Sequence, residues 1–243
     1  MDPQDMDIDV AGRTVDGEGP ATAFSIEAQS VEAQSIESPS IESPSIESPP
    51  NMVLSIEALS APRVEPARDG SPPDEGDLAR ILDAATTVPD HGGLRPWRFV
   101  VIAGPGRDRF GQALVDGLVG VKGEGVPEGA LAKMRGKAFA APCAVMVVAS
   151  PRLESNVPEW EQVVSASCTG YAIVLGATAL GLGAVWKSAA VLDTGPVRAL
   201  FGVTDHERLL GWVNLGSPGQ PSRKKGVYAS GEVPDTPVTV VGD

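Results

Sequence analysis

Residues 89–104 read PDHGGLRPWRFVVIAG, and this turn with the strand that follows it decides the fold. The apolar, β-branched run at 97–103 predicts a core strand. In and just after the turn, His91, Arg95 and Arg98 lie within eight residues of one another. Turns at the end of a sheet present side chains and backbone N–H groups to ligands in many proteins. A loop histidine is more often a solvated or capping residue, so the turn by itself leaves both interpretations open.

Hydrophobic periodicity predicts further elements on both sides of this stretch. Before it, Leu78, Ile81, Leu82 and Ala85 share one helical face, and Pro89 ends that helix. The remaining elements are predicted, in chain order, as a helix at 108–118, a glycine-rich loop at 119–129, a helix at 130–139, a buried strand at 142–149, a long helix at 158–180, a short strand at 184–186, a helix at 194–201 with Thr194 as its cap, and a buried strand at 209–216. This order of elements predicts a mixed sheet covered by helices.

The first part of the chain follows a different pattern. Residues 25–49 form five pentads of the types SIEAQ, SVEAQ and SIESP, and a related SIEAL occupies 55–59. A period of five suits neither helix nor strand, and the sparse apolar residues cannot offset the entropy lost on ordering. We therefore expect a disordered acidic tail at 1–54 and a folded domain at 55–243, with its core at 76–219. The tail is either a solvating repeat expansion or a multivalent docking segment for a protein partner.

Composition excludes several classes of function. The net charge of −13 belongs to residues 1–75, which hold half of the 32 acidic residues and only three basic ones. The neutral remainder lacks the clustered basic face of a nucleic-acid-binding protein. Two histidines and two cysteines without CxxC spacing give no metal site, and Cys143 and Cys168 are expected to be buried thiols of a cytoplasmic protein. No secretory signal and no run of about 18 apolar residues is seen, so no membrane association is expected.

Three further segments carry residues suited to binding. Trp186-Lys187-Ser188 follows a glycine turn and a short strand, where a cation and a hydroxyl can hold an anionic or carbonyl-rich ligand. The alternative is a core tryptophan beside a surface lysine. Trp160-Glu161-Gln162 opens the long helix and is most simply a hydrophobic staple. Arg223-Lys224-Lys225 is the only compact basic cluster, and it is suited equally to a phosphate or to solvent. No dinucleotide fingerprint, P-loop or zinc-protease motif is present.

Taken in order, five stretches resemble the FMN-dependent nitroreductase family, in its minimal-length NAD(P)H nitroreductase subgroup. They are PDHGGLRPWRFVVIAG at 89–104, AAPCAVMVVAS at 140–150, VPEWEQVVSASC at 157–168, GLGAVWKSAA at 181–190 and LLGWVNLGSP at 209–218. The resemblance implies an α+β homodimer whose mixed, mainly antiparallel sheet is flanked by helices. It also implies FMN at the subunit interface, contacted by both chains, and NADPH or NADH as the electron donor.

The resemblance also implies roles for individual residues. It assigns Thr87, His91 and Arg95 to the surroundings of the flavin, and Trp186, Lys187 and Ser188 to the isoalloxazine side. Further residues are implied for the cofactor phosphate (Ser60, Arg63, Arg223) and, more weakly, for the nicotinamide nucleotide (Gly176, Ala177, Thr178, Ala179, Leu180, Gly181). The chemistry implied is ping-pong: NAD(P)H gives hydride to flavin N5, and the reduced flavin passes electrons to a nitroaromatic, a quinone or a pathway-specific small molecule. The flavin carries the chemistry, so no catalytic side chain is required.

The sequence departs from the family pattern on the phosphate side. Ala58-Leu59-Ser60 stands where the family usually has Arg-Arg-Ser, and Thr87 replaces a residue that is often basic. Each charge-assisted hydrogen bond to a phosphate contributes about 1.5–3 kcal/mol, and Arg63, Arg68 or the cluster at 223–225 are the available substitutes. The rival hypotheses are a degenerate member that acts as a binding or scaffold subunit, and a flavin-dependent dehydrogenase of a specialised pathway.

Overall fold

The structure, a computed structural model, describes residues 63–219 and, apart from them, Leu59, Thr239 and Val241. The chain divides into two units, Met1–Met52 and Val53–Asp243, and every described residue belongs to the second. The pentad repeats up to residue 58 and two predicted phosphate ligands, Ser60 and Arg223, lie outside the described residues.

A four-stranded sheet forms the centre of the described domain. Its strands are β1 (Trp97–Ala103), β2 (Cys143–Ala149), β3 (Gly183–Lys187) and β4 (Arg208–Gly216). They lie side by side in the order β1-β2-β4-β3, and all three pairings of the described strands are antiparallel. With helices packed on both faces, this arrangement confirms the α+β fold class.

Five α-helices flank the sheet within the described residues. They are α1 (Glu75–Ala85), α2 (Gly106–Lys122), α3 (Glu128–Gly136), α4 (Glu159–Ala179) and α5 (Gly195–Leu200), with 3₁₀ turns at His91–Gly93 and Lys137–Phe139. The prediction of a loop from residue 119 was wrong, because α2 continues to Lys122. It ends where Gly123 adopts a φ of 82° and donates its N–H to the Val119 carbonyl at 2.7 Å.

The cap predicted for α5 was also wrong in detail. Thr194 occupies the N-cap position, but its side chain caps no N–H of the helix. The hydroxyl instead donates to the Val191 carbonyl at 2.7 Å. Gly117 of α2 faces this hydroxyl so closely that a Cβ there would lie 2.3 Å from Oγ1. The hydroxyl is therefore committed to the preceding turn and to the packing of α2 against the start of α5.

The core lies on both faces of β2, all seven residues of which are buried. On one face, Met146 and Val148 pack in a cluster with Phe110 and Leu114 of α2 and with Trp212. On the other face, a second cluster joins α1 and α4 to the sheet; it includes Ile81, Val145, Val147, Ile173 and Val213. Burial on both faces explains why β2 is apolar throughout rather than alternating.

The long helix α4 packs across the second face of the sheet, against β2, β3 and β4. By length and composition alone its 21 residues, of mean hydropathy 1.2, are enough to cross a membrane, although the sequence predicted no such segment. Ile173, Val174 and Ala177 of this helix are buried in the core cluster. Packing of this helix against the sheet therefore explains its apolar sequence.

The segment before α1 docks along the edge of β3 and the end of β4. Val64 accepts a hydrogen bond from the Ala184 N–H at 2.8 Å, and Glu65 accepts one from the Gly219 N–H at 2.9 Å. Close approach depends on Gly183, because a Cβ there would lie 2.6 Å from the Pro66 Cα. This docking brings the Glu65 side chain beside the end of β3.

The two cysteines differ from the expectation that both are buried. Cys143 begins β2 and is buried, whereas Cys168 lies exposed on α4. Burial raises the pKa of the Cys143 thiol to about 11, although the charge of Arg107 partly opposes the rise. Cys168 falls on the side of α4 that faces away from the sheet, which the near-continuous apolar sequence of the helix did not indicate.

Candidate functional site

The predicted flavin-side residues that the structure describes form two groups, one before β1 and one at the end of β3. Arg95 stands two residues before β1, whose first residue, Trp97, pairs with Ala149 at the end of β2. Ser188 follows the last residue of β3. β1 and β3 form opposite edges of the sheet, three strand spacings or about 14 Å apart. Lys187 pairs with Trp212, which pairs with Met146, which pairs with Val100, so the end of β3 is level with the middle of β1 and the two groups are also offset along the strands. We call the groups at 87–95 and 186–188 the half-sites of the candidate site.

The turn at 89–95 forms the first half-site. The Asp90 carboxylate accepts the Arg95 N–H at 2.6 Å, which closes the turn around Gly92 and Gly93, both at positive φ. Arg95 itself adopts a φ of 48°, a conformation that is uncommon for a residue with a side chain and that clusters at ligand sites. The turn thus holds the His91 and Arg95 side chains in solvent.

His91 is paired with the start of α4. Its Nδ1 lies 2.9 Å from Oε2 of Glu161, and the imidazole is 69% exposed. An ionised carboxylate only accepts hydrogen bonds, so Nδ1 carries the proton and Nε2 remains available to a ligand. Thr87 is exposed nearby in the chain, with its hydroxyl donated to the Ala84 carbonyl at 2.8 Å.

Arg98, which the sequence grouped with His91 and Arg95, has a structural role instead. Its Nε and Nη2 donate to the two carboxylate oxygens of Glu207 at 2.6 and 2.8 Å, and Nη2 also reaches the Phe201 carbonyl at 3.1 Å. Hydrogen bonding to Arg98 holds the pKa of Glu207 at about 2, despite the opposing effect of burial. The pair ties β1 to the loop between α5 and β4.

The second half-site lies at the end of β3. The Lys187 ammonium is 2.9 Å from the Glu65 carboxylate, and both side chains are partly exposed. Ser188 is exposed immediately after the strand. Trp186 is half-buried and packs against the second core cluster, which favours the interpretation of a core tryptophan for most of its surface. The described phosphate-side candidate, Arg63, donates to the Leu59 carbonyl at 2.8 Å.

The stretch predicted for the nicotinamide nucleotide forms the C-terminal end of α4. Gly181 at a φ of 73° donates to the Thr178 carbonyl at 3.0 Å, and Leu182 donates to Ala177 at 2.9 Å. This is a Schellman termination. Ala177 is buried, and a Cβ on Gly176 would be 3.6 Å from the Ile81 Cα of α1. These residues serve the helix end and its packing, and their contact with a nucleotide stays a prediction.

The hydrophobic staple expected at Trp160 is absent. Trp160 is 67% exposed, and Val164 and Tyr171 on the same helix are 54% and 49% exposed. Positions 160, 164, 168 and 171 recur at helical spacing, so they form one apolar stripe on α4. We call Trp160, Val164, Cys168 and Tyr171 the α4 stripe.

A cleft of about 370 Å³ lies at the end of the sheet where β2 finishes and β4 begins. It is lined by Ser150, Pro151, Arg152, Leu153, Glu154, Thr204, His206 and Glu207. These residues follow β2 and precede β4, the two central strands, so the cleft lies at the middle of this sheet end. Among the described residues, no three histidine, cysteine, aspartate or glutamate side chains are placed to hold a metal ion.

Sequence reasoning missed the acidic partners of the site. Asp90, Glu161 and Glu65 each hold a backbone or a cation of a half-site. Asp90 had a local signal, because aspartate before a glycine turn commonly accepts a nearby backbone N–H. Glu65 and Glu161 are 122 and 70 residues from their partners, so no local pattern indicated them.

Comparison with known proteins identifies the family. The nitroreductase family model matches residues 69–217. The chain is 37% identical over 166 residues to an Escherichia coli K12 protein provisionally named NAD(P)H nitroreductase YdjA, covering 68% of this chain and 86% of that protein.

Solved structures show the same fold. A nitroreductase-like family protein from Bacillus cereus aligns with a TM-score of 0.57 at 20% identity, over 74% of this chain and 95% of that one. A nitroreductase from Bacteroides fragilis with bound FMN aligns with a TM-score of 0.55 at 19% identity, over 76% and 97%. On these matches the chain belongs to the nitroreductase family of oxidoreductases, as its sequence predicted.

Proposed function

We propose that the protein is an FMN-dependent oxidoreductase that takes electrons from NADPH or NADH and reduces nitroaromatic, quinone or pathway-specific small molecules. The observation that carries this proposal is that polar and cationic side chains lie on both edges of one sheet, His91 and Arg95 before β1 and Lys187 and Ser188 at the end of β3. It is supported by membership of the nitroreductase family.

The donor set at the half-sites fits FMN chemically. FMN combines an anionic phosphate with a flat ring that carries carbonyl oxygens and ring nitrogens. Cationic Lys187 and Arg63 suit the anionic and carbonyl groups, and the exposed Ser188 hydroxyl and His91 Nε2 suit the ring polar atoms. Ser60 and Arg223 are proposed as further phosphate ligands. When bound, FMN supplies the hydride and electron transfer, and the chain binds and orients it.

A homodimer completes the proposed site. The half-sites of one chain lie on opposite edges of the sheet, at least about 14 Å apart, so each flavin ring would contact one half-site from each of two chains. The α4 stripe supplies an exposed apolar face for that contact, with Trp160 67% exposed. A two-fold dimer uses the same patch on both chains and would create two equivalent sites.

His91 and Lys187 are each oriented by an acid. Glu161 accepts from His91 Nδ1 and so directs Nε2 as the group that binds ligand. Glu65 holds the Lys187 ammonium at 2.9 Å and thereby fixes a positive charge beside the end of β3. That charge would stabilise negative charge that develops on a reduced ring.

Steady-state kinetics with NADPH and a model nitroarene tests this function. We expect turnover in the presence of FMN and a fall of at least about tenfold in kcat/KM, or about 1.4 kcal/mol of transition-state stabilisation, for Lys187→Ala or His91→Ala. Arg80→Ala is the matched control, since Arg80 lies exposed on α1 and, within the part of the chain that the structure describes, forms its ion pair with Asp77. Wild-type protein saturated with FMN that oxidises neither NADPH nor NADH would contradict the proposal.

The second candidate function is a binding or scaffold subunit that has lost the activity. Two observations favour it: Ala58-Leu59 replaces the family arginines, and the Lys187 and His91 side chains are already paired with carboxylates. The pentad repeats, which are proposed to dock a protein partner, would then carry the function. NADPH-dependent turnover that is lost in Lys187→Ala excludes this candidate.

A further inference from the structure

Trp186 lies in a socket made by two glycines from different elements. On Gly170 of α4, a Cβ would lie 2.5, 2.6 and 2.8 Å from Cη2, Cζ3 and Cζ2 of the indole. On Gly211 of β4, a Cβ would lie 2.4 Å from the indole Nε1. Distances this short do not occur in folded proteins, so the indole can lie here only because both positions lack a side chain.

The same socket fixes the backbone of Lys187. A Cβ on Gly211 would also lie 2.6 Å from the Lys187 carbonyl oxygen. Gly211 adopts a φ of 134°, next to a register shift at which Val147 pairs with Gly211 and Val148 with Leu209. The shift makes Leu210 the extra residue of a β-bulge, and bulges redirect side chains next to functional sites.

We infer that Gly170 and Gly211 are positioning residues, which seat the Trp186 indole and thereby set the place of Lys187 and Ser188 against the cofactor. This inference rests on the proposed function. The indole is anchored at its outer ring by α4 and at Nε1 by β4, so β3 cannot slide or rotate at its end without a clash. Lys187 and Ser188 are the next two residues, so their backbone positions are restrained in the same way.

The inference predicts that the effect of a methyl group at residue 170 depends on the side chain at residue 186. The three indole atoms that the methyl group would meet belong to the outer ring, which phenylalanine lacks. Gly170→Ala in the wild type should therefore displace Trp186 and weaken FMN binding, with an increase in Kd of about tenfold. In the Trp186→Phe background the methyl group fills vacated space, so adding Gly170→Ala should leave the Kd unchanged or lower it.

The measurement is an FMN titration of four full-length proteins: wild type, Gly170→Ala, Trp186→Phe and the double variant. The control is Gly120→Ala, another helix-interior glycine, at which a Cβ would meet nothing within 4 Å. Alanine is a better helix former than glycine. A loss of FMN affinity that occurs in Gly170→Ala but not in Gly120→Ala is therefore caused by the contact with Trp186. The visible circular dichroism of the bound flavin gives a second readout, because it reports the surroundings of the flavin ring. A merely structural role of Gly170 would leave this signal as in the wild type.

Each outcome decides. The inference is supported if Gly170→Ala raises the Kd for FMN in the wild type but not in the Trp186→Phe background. It is overturned if Gly170→Ala raises the Kd by the same factor in both backgrounds. If Gly170→Ala alone yields no folded protein, Trp186→Phe is compared with the double variant. Weaker FMN binding by the double variant than by Trp186→Phe then overturns the inference. A wild type that binds no FMN overturns the proposed function and this inference with it. A wild type that binds FMN, with the same effect of Gly170→Ala in both backgrounds, overturns the inference alone.

Discussion

At the scale of single residues, Glu207 couples the stability of the domain to pH. Glu207 is 7% exposed, and hydrogen bonds from Arg98 hold the pKa of its carboxyl near 2, below the ordinary value of 4.5. A carboxylate whose pKa is lower in the folded than in the unfolded state stabilises the fold above the unfolded pKa. That contribution is lost as the pH falls from about 4.5 towards 2.

Glu207→Gln should therefore lower the free energy of unfolding at pH 7 by about 2 kcal/mol, after a discount for the partial exposure of Arg98. The difference in the free energy of unfolding between the variant and the wild type should be smaller at pH 3, because the wild type has by then lost part of the stabilisation from ionised Glu207. Urea denaturation at both pH values measures this. Glu154→Gln, an exposed acid of the same cleft, is the control, and an equal loss in both variants would refute the assignment.

At the scale of elements, the docking of residues 63–67 on β3 depends on Gly183. Gly183→Ala would place a methyl group 2.6–2.9 Å from backbone atoms of Pro66 and Glu65, which cannot give way like a side chain. We expect a loss of about 1–3 kcal/mol from this overpacking and faster proteolysis near residue 65. Gly129→Ala, where a Cβ meets nothing within 4 Å, should change neither, and a resistant Gly183→Ala would disprove the dependence.

The helices and strands also show how much of the fold could be predicted from the sequence. Strands β1, β2 and β4 and helix α4 were predicted nearly to their ends, because uninterrupted apolar runs or strong periodicity defined them. The extension of α2 over 119–122 was missed because Gly120, Gly123 and Gly125 make this stretch glycine-rich, and glycine is a poor helix former. The half-sites could not be placed from sequence, since the order β1-β2-β4-β3 is set by pairing between distant segments.

At the scale of the whole molecule, the α4 stripe predicts self-association. Val164→Glu places a charge among Trp160, Cys168 and Tyr171, and we expect it to convert a dimer into a monomer, because burying an unpaired charge is costly. Val121 of α2 is 64% exposed outside the stripe, so Val121→Glu is a matched control and should remain dimeric. Light scattering after size-exclusion chromatography measures both masses. A dimeric Val164→Glu would exclude this face as the interface.

The family assignment and the paired half-sites together make FMN binding the central claim for the molecule. The phosphate side is where the sequence departs from its family, so we expect Arg63, Arg68 or the cluster at 223–225 to supply the charge there. Titration of the purified wild-type protein with FMN, followed by the visible absorption and fluorescence of the flavin, tests the claim most directly. We predict saturation at one FMN per chain with a Kd of about 1 μM or tighter, near −8 kcal/mol. A colourless protein that binds no FMN at micromolar concentrations would contradict it.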